Sequence, residues 1–260
     1  MPYYVVVLGT AGSGKTTVSK NLKDYLLDHG LDAAVVNMDP AVEYLPYEPD
    51  VDVRDYVNVS DLIERLGLGP NGALIAATDM LALKIYELRE EIDALKSNYI
   101  IIDTPGQLEL FAFRRSGPLV VSSIVGDGKA VNLFLMDAVA NREPRNVLSS
   151  LLLATSVNVR MRYPQVNVVT KIDLLSQDEL EEINSWFEDP DKLAADVAKE
   201  GGYIVWDSPD IEYIVEKLHS YDVVFLSNVD GRGFDELYAS IQRVLAGGED
   251  YLTEEPNPRL

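Results

Sequence analysis

Short apolar runs alternate with longer amphipathic stretches along almost the whole chain. Six runs read as strands: residues 3–8, 33–37, 99–103, 131–136, 166–170 and 223–226. Each is short and apolar, and most are rich in Val or Ile, the composition of strands covered on both faces. Between them apolar positions recur at helical spacing, as at Val18, Leu22, Tyr25 and Leu26. This alternation predicts a mainly parallel sheet with helices on both faces, because parallel neighbours need a crossover and a helix supplies it. No internal repeat or linker interrupts it. The expected organisation is one three-layer α/β/α domain over residues 1–246, followed by a mobile tail at 247–260. Three stretches exceed a minimal domain and read as insertions: 40–59, rich in Pro and acidic residues; 66–71, leading into a long helical pattern up to Lys96; and 190–213. Long irregular segments inside a compact domain are often functional.

The loop after the first strand reads Gly9-Thr10-Ala11-Gly12-Ser13-Gly14-Lys15-Thr16. It matches G-x-x-x-x-G-K-[ST] and lies between a strand and a helix, the context a phosphate-binding P-loop requires. Glycines let backbone N–H groups close on phosphate oxygens, Lys15 adds positive charge, and the Thr16 hydroxyl can bind Mg²⁺. The phosphate-binding candidates are therefore Gly12, Ser13, Gly14, Lys15, Thr16 and Thr17, and the fold class becomes an α/β P-loop NTPase.

Two later strands end in further nucleotide motifs. Asp103-Thr104-Pro105-Gly106-Gln107 follows the third run. A strand-end carboxylate at Asp103 suits Mg²⁺, the Gly106 N–H suits a γ-phosphate, and Gln107 stands where Ras-like GTPases place a water-orienting Gln. A capping Asp would be the simpler explanation of Asp103 by itself. Thr170-Lys171-Ile172-Asp173 follows the fifth run and is similar to the guanine-reading N-K-x-D, with Thr for Asn. A carboxylate at Asp173 can accept from guanine N1–H and the 2-amino group, whereas adenine offers it no such donors. The aliphatic stem of Lys171 can cover the base. Ser227-Asn228, after the last strand, is a small polar loop able to contact the base, or an ordinary turn.

Composition narrows the partners. The 260-residue chain carries a formal net charge of −21, which repels nucleic acid at long range and excludes it as a direct partner. It has no cysteine, so disulfide, thiolate and Cys-zinc chemistry are excluded. No apolar run reaches membrane-spanning length and the N-terminus leads straight into a strand, so a cytoplasmic protein with no membrane contact is expected.

Three segments together resemble the GPN-loop GTPases: Gly69-Pro70-Asn71, Asn37-Met38-Asp39-Pro40-Ala41-Val42-Glu43, and Asp103 through Glu109. The resemblance runs from the P-loop to the last helix. It implies the SIMIBI class of P-loop NTPases, GTP and GDP as substrate and product, Mg²⁺ held by Thr16, Asp103 and Asp39, and a homodimer. Thr10 occupies the slot of the extra P-loop lysine of many SIMIBI ATPases, which favours the GTPase branch. In such a dimer the loop Gly69, Pro70, Asn71 enters the partner's site in trans, and Asn71 contacts the γ-phosphate. The resemblance further places Asp39 near metal or attacking water, and makes Gln107 and Glu109 position that water. Local readings stand beside these. Gly69 permits an unusual backbone angle, Pro70 stiffens the turn, and Asn71 caps the following helix; Asp39-Pro40 is a turn; Glu109 is a first-turn carboxylate. Relatives that assist assembly of RNA polymerase II suggest an alternative, a nucleotide-gated chaperone or scaffold for a protein client complex in which hydrolysis only resets binding.

Overall fold

A computed structural model describes residues 2–199, 208–219 and 221–246. The tail expected at 247–260 and the centre of the 190–213 insertion lie outside the described residues. The described chain folds around one seven-stranded, all-parallel sheet of order β3-β2-β4-β1-β5-β6-β7. In chain order the elements begin with β1 (Tyr3–Gly9), α1 (Lys15–Asp28), β2 (Ala33–Asn37), β3 (Val51–Asp52), α2 (Val59–Leu66), α3 (Pro70–Leu83), α4 (Ile85–Ala94) and β4 (Tyr99–Asp103). They continue with α5 (Leu108–Phe111), α6 (Ser116–Val125), β5 (Lys129–Asp137), α7 (Pro144–Met161) and β6 (Gln165–Thr170). The last are α8 (Gln177–Glu188), α9 (Pro190–Lys199), α10 (Ser208–Leu218), β7 (Asp222–Leu226) and α11 (Phe234–Ala246).

All six expected strands are present, and the sheet separates two apolar layers. Val5, Val7, Ile101 and Leu133 face α1 and α11, whereas Val6, Leu8, Ile102 and Phe134 face the helices of the opposite layer. Alternate residues of one strand thus feed two cores, which is why each run is apolar throughout rather than every second position. Strand order reverses beside β1: β4 lies on one side and β5 on the other. The carboxyl ends of strands at such a reversal form a crevice, and the P-loop emerges there.

The first two insertions resolve into structure that differs in detail from the pattern. Residues 40–59 contribute the two-residue edge strand β3, paired with β2 at Val36–Val51 and Asn37–Asp52, and a 3-10 turn at Val53–Asp55. The helical pattern up to Lys96 is two helices, broken at Lys84 (φ −100°, ψ 14°). Apolar spacing continues on both sides of that break, with Leu81 and Leu88 both buried, so periodicity alone does not reveal it. Gly69 is the N-cap of α3 in extended conformation (φ −71°), Pro70 is its first residue, and no side chain caps the end. The left-handed glycine is Gly67, which ends α2 at φ 64°. The expected unusual angle at Gly69 and the capping role of Asn71 are therefore both corrected: Asn71 sits inside the first turn, past the point where a side chain can cap.

Candidate functional site

The P-loop is built by backbone that only glycine adopts readily. Gly12 and Gly14 have φ of 78° and 92°. Gly9 has φ 148°, and a Cβ there would lie 2.7 Å from the Leu135 carbonyl oxygen of β5. The loop is thus pressed against its neighbouring strand. Ser13 is buried and its Oγ donates to the Thr10 carbonyl at 2.8 Å. Lys15 opens α1 and is 6 % exposed. Its Nζ donates to the carbonyls of Gly9 and Thr10, both at 2.9 Å. Burial lowers the ammonium's pKa, and the nearby carboxylates of Asp103, Asp39 and Glu109 oppose that shift. One cation therefore stands among three acidic groups drawn from β4, the loop after β2, and α5.

Asp103, at the carboxyl end of β4, is 2 % exposed. Desolvation pushes its carboxyl up to about 6, against stabilisation of the charged form by Tyr47, Thr16 and Lys15, while Asp39 raises it further. The Tyr47 hydroxyl donates to its Oδ2 at 2.8 Å, and Oδ1 is buried without a hydrogen-bond partner. Asp39 accepts from the Ala41 N–H at 2.9 Å through Oδ1. Its Oδ2 accepts from the Gly106 N–H at 3.4 Å. The expected Asp39-Pro40 turn is thus present, and Asp39 also reaches the segment that follows Asp103. Thr104 fixes the start of that segment by donating to the Val7 carbonyl at 2.6 Å. Gln107 and Glu109 follow, both exposed, at the start of α5.

The donor set suits magnesium. Thr16, Asp103 and Asp39 offer hard oxygen ligands, and the unpartnered Asp103 Oδ1 is a buried acceptor for a cation. No group of three or more His, Cys, Asp or Glu able to hold a metal occurs among the described residues. Mg²⁺ beside phosphates takes only one or two protein carboxylates, with waters and phosphate oxygens completing its shell. Two carboxylates and a hydroxyl are therefore sufficient.

The candidate base-reading segments are tied to the same loop. The Thr170 hydroxyl lies 2.8 Å from the Ser13 carbonyl and 3.2 Å from that of Met136. It bridges β6 to the P-loop. Lys171 holds a left-handed backbone (φ 63°) and pairs with Asp137 at 2.6 Å, which fixes its stem. Asp173 is half-buried in the 3-10 turn Ile172–Leu174. Ser227 is buried, and its Oγ accepts from the N–H groups of Val229 and Asp230 at 3.3 Å. Asn228 accepts from Asn21 of α1 at 3.1 Å through both its carbonyl and Oδ1, and its Nδ2 faces Gly14. The last loop therefore abuts the P-loop.

Thr17 is exposed in the first turn of α1. Asn71 is exposed and makes no side-chain hydrogen bond among the described residues. Its helix packs against α2, α5 and α6, which sets it beside the helix carrying Glu109. The Arg54 guanidinium is engaged by Asp52 at 2.6 Å and by the Val42 carbonyl. Sequence reasoning missed Tyr47, which lies in an irregular acidic segment with no pattern to mark it. It also missed Asp137, although that residue ends an apolar strand as Asp103 does and carried the same signal.

These features define a P-loop NTPase whose phosphate loop, acidic cluster and base-side loops converge at the carboxyl edge of the sheet. A family model described as "Conserved hypothetical ATP binding protein" matches residues 7–247. The chain is 33 % identical over 238 residues to GPN-loop GTPase PAB0955 of Pyrococcus abyssi, covering 90 % of this chain and 93 % of that protein. It is 31 % identical over 243 residues to GPN-loop GTPase 1 of Dictyostelium discoideum, covering 92 % of this chain. The chain spans 61 % of the length of the Dictyostelium protein. The crystal structure of PAB0955, a GTPase in apo form, matches with a TM-score of 0.82 at 31 % identity, covering 93 % of this chain and 97 % of that one. The chain belongs to the GPN-loop GTPase family. The family model's description names ATP and the relatives' names say GTPase; the base-side residues bear on that difference. No helix among the described residues is long and apolar enough to cross a membrane.

Proposed function

We propose that this chain is a Mg²⁺-dependent GTPase that hydrolyses GTP to GDP and phosphate as a homodimer. The observation that carries the reading is the cluster of Asp103, Asp39 and Glu109 around buried Lys15. Lys15 and the P-loop N–H groups neutralise charge developing on the transferred phosphoryl group. Thr16, Asp103 and Asp39 would hold Mg²⁺, which when bound neutralises the β- and γ-phosphate oxygens. Glu109 of this cluster and Gln107 beside it, both exposed, orient the attacking water. The Gly106 N–H, engaged by Asp39 at 3.4 Å, is a switch contact: a γ-phosphate that takes this donor frees the Asp39 carboxylate for metal or water. Asp173 selects guanine, because adenine leaves its carboxylate without a donor.

Asn71 completes the site of the other subunit. Support comes from its unbonded side chain and from apolar residues left exposed on the same helical insertion: Leu66 at 60 %, Leu83 at 83 % and Tyr86 at 82 %. A surface of that kind fits an interface. The amide donates to a γ-phosphate oxygen without adding charge, which makes hydrolysis depend on dimerisation. We place the protein in the cytoplasm. Its biological output is a switch or assembly role on a protein client.

The test is phosphate release from GTP and from ATP, with and without Mg²⁺. Release from GTP that requires Mg²⁺ and exceeds that from ATP is the expected result. Preference for ATP would overturn the assignment of Asp173. Client capture that differs between a non-hydrolysable GTP analogue and GDP, with no phosphate release at all, would favour the scaffold reading.

A further inference from the structure

The chain carries 43 acidic residues against 22 basic ones, yet one concave face collects arginines. Arg114, Arg115, Arg160 and Arg162 line a cavity of about 590 Å³ together with Leu119 and Val159, and no described acidic residue shares the lining. Arg114 reaches Asp79 of α3 at 3.8 Å, both groups half-exposed. Arg160 donates to the Phe113 carbonyl at 3.4 Å and lies over the Phe113 ring. The side chains of Arg115 and Arg162 are exposed and have no ion pair among the described residues. Arg162 ends α7 with φ 64°, a position that favours glycine. The backbone accepts that strain at the rim of the cavity. Leu119 and Val159, beside these cations, are 55 % and 69 % exposed.

The exposed guanidiniums of Arg115 and Arg162, which have no ion pair among the described residues, call for an anion. A bare phosphate would engage them but leave Leu119 and Val159 wet. A long nucleic acid meets the repulsion of the whole acidic molecule. A short acidic segment with interleaved apolar side chains uses both kinds of group. One wall of the cavity lies on the chain that runs on from the proposed switch through α5. Phe113, Arg114 and Arg115 follow α5 directly, and a Cβ on Gly117 would lie 2.2 Å from the Phe111 carbonyl oxygen. Helix α5 and the start of α6 are therefore in close contact, with Arg114 and Arg115 in the connection between them.

We propose that this cleft docks an extended acidic, partly apolar segment of a partner protein, and that the nucleotide-responsive segment 103–115 sets how tightly it binds. The nucleotide dependence rests on the GTPase reading; the docking does not. The test uses the full chain and a fluorescein-labelled peptide alternating Glu with Leu, followed by anisotropy. Binding is expected, with at least a ~10-fold loss in the Arg115→Glu/Arg162→Glu double variant and none of it retained by a Lys-for-Glu peptide. Arg162→Gly relieves the backbone while removing one charge, so a weakening of about 3-fold with an unchanged melting curve would separate recognition from folding. Equal binding by parent and double variant overturns the proposal, as does full displacement by inorganic phosphate, which reduces the cleft to an anion site. Loss of self-association in the double variant with peptide binding intact assigns the face to a second copy and also overturns it. Labelled guanine nucleotide is titrated in parallel. Peptide affinity identical in GDP-loaded and GTP-analogue-loaded protein overturns the coupling, whereas failure to bind guanine nucleotide sinks the GTPase reading alone.

Discussion

The two halves of the candidate site are held in opposite ways. On the binding side, Lys15, Thr170, Lys171 and Ser227 are each fixed by a partner within the chain: the carbonyls of Gly9 and Thr10, the Ser13 carbonyl, Asp137, and the N–H groups of Val229 and Asp230. On the proposed hydrolytic side, Gln107, Glu109 and Asn71 are exposed at the starts of α5 and α3. The first half is preorganised and the second is adaptable. Phosphate and base recognition gain from rigidity because fixed donors need no reorganisation when the ligand arrives. Residues that complete a site only on demand belong on exposed helix starts. On this division, affinity and turnover separate by mutation.

The largest expected effect tests the rigid half. Asp173→Asn should reduce the preference for GTP over ATP by up to about 10⁴-fold in competition assays, with the fold intact; an unchanged ratio would remove Asp173 from base selection. Next, Lys15→Ala should lower kcat by about 10³-fold and weaken nucleotide binding in a titration of labelled GDP. Asn71→Ala should lower kcat by about 10²-fold while leaving GDP affinity and the melting temperature almost unchanged, since an exposed residue contributes little to stability. If Asn71→Ala weakened binding as steeply as Lys15→Ala, the separation between the halves would fail.

Two smaller effects sharpen the contrast through stability. Asp103 has a raised folded pKa of about 6, so the folded protein holds this proton more tightly than the unfolded chain. The group favours folding fully below the ordinary carboxylate pKa, and that contribution is lost as pH rises through about 6. Asp103→Asn should therefore stabilise the nucleotide-free protein at pH 7 by about 2 kcal/mol, read as a higher Tm, while abolishing the Mg²⁺ dependence of hydrolysis. The gain should shrink on acidification, and a constant gain from pH 4 to 7 would contradict the buried-charge explanation. Thr170→Val, which removes the bridge to the Ser13 carbonyl, should cost about 1 kcal/mol and weaken GTP binding more than it lowers kcat.

The periodic part of the chain was legible from residues alone. Runs such as residues 99–103 announce a strand covered on both faces, and a strand–loop–helix setting distinguishes the P-loop from an incidental Gly-rich turn. Motif residues next to strand ends, such as Asp103 and Asp173, could be named because their position along the strand dictates which edge of the sheet they reach. These are local properties: periodicity and spacing are written along the chain and survive without knowledge of neighbours.

Other features depend on what meets what in space. No spacing rule brings Tyr47 to Asp103 or the Thr170 hydroxyl to the Ser13 carbonyl, since each contact joins segments far apart in sequence. The break at Lys84 keeps apolar spacing on both sides, so packing ends α3 where propensity does not. Gly69 reads as a special backbone position but is extended, while Gly67 bears the left-handed angle. The arginines of the cleft come from two stretches, 114–115 and 160–162, that only the tertiary fold brings to the lining of one cavity. Local pattern thus determined the elements and the chemistry they carry, because helix and strand periods act over a few residues. Tertiary packing decided which of those groups are held, which are left free, and where scattered charges become a surface.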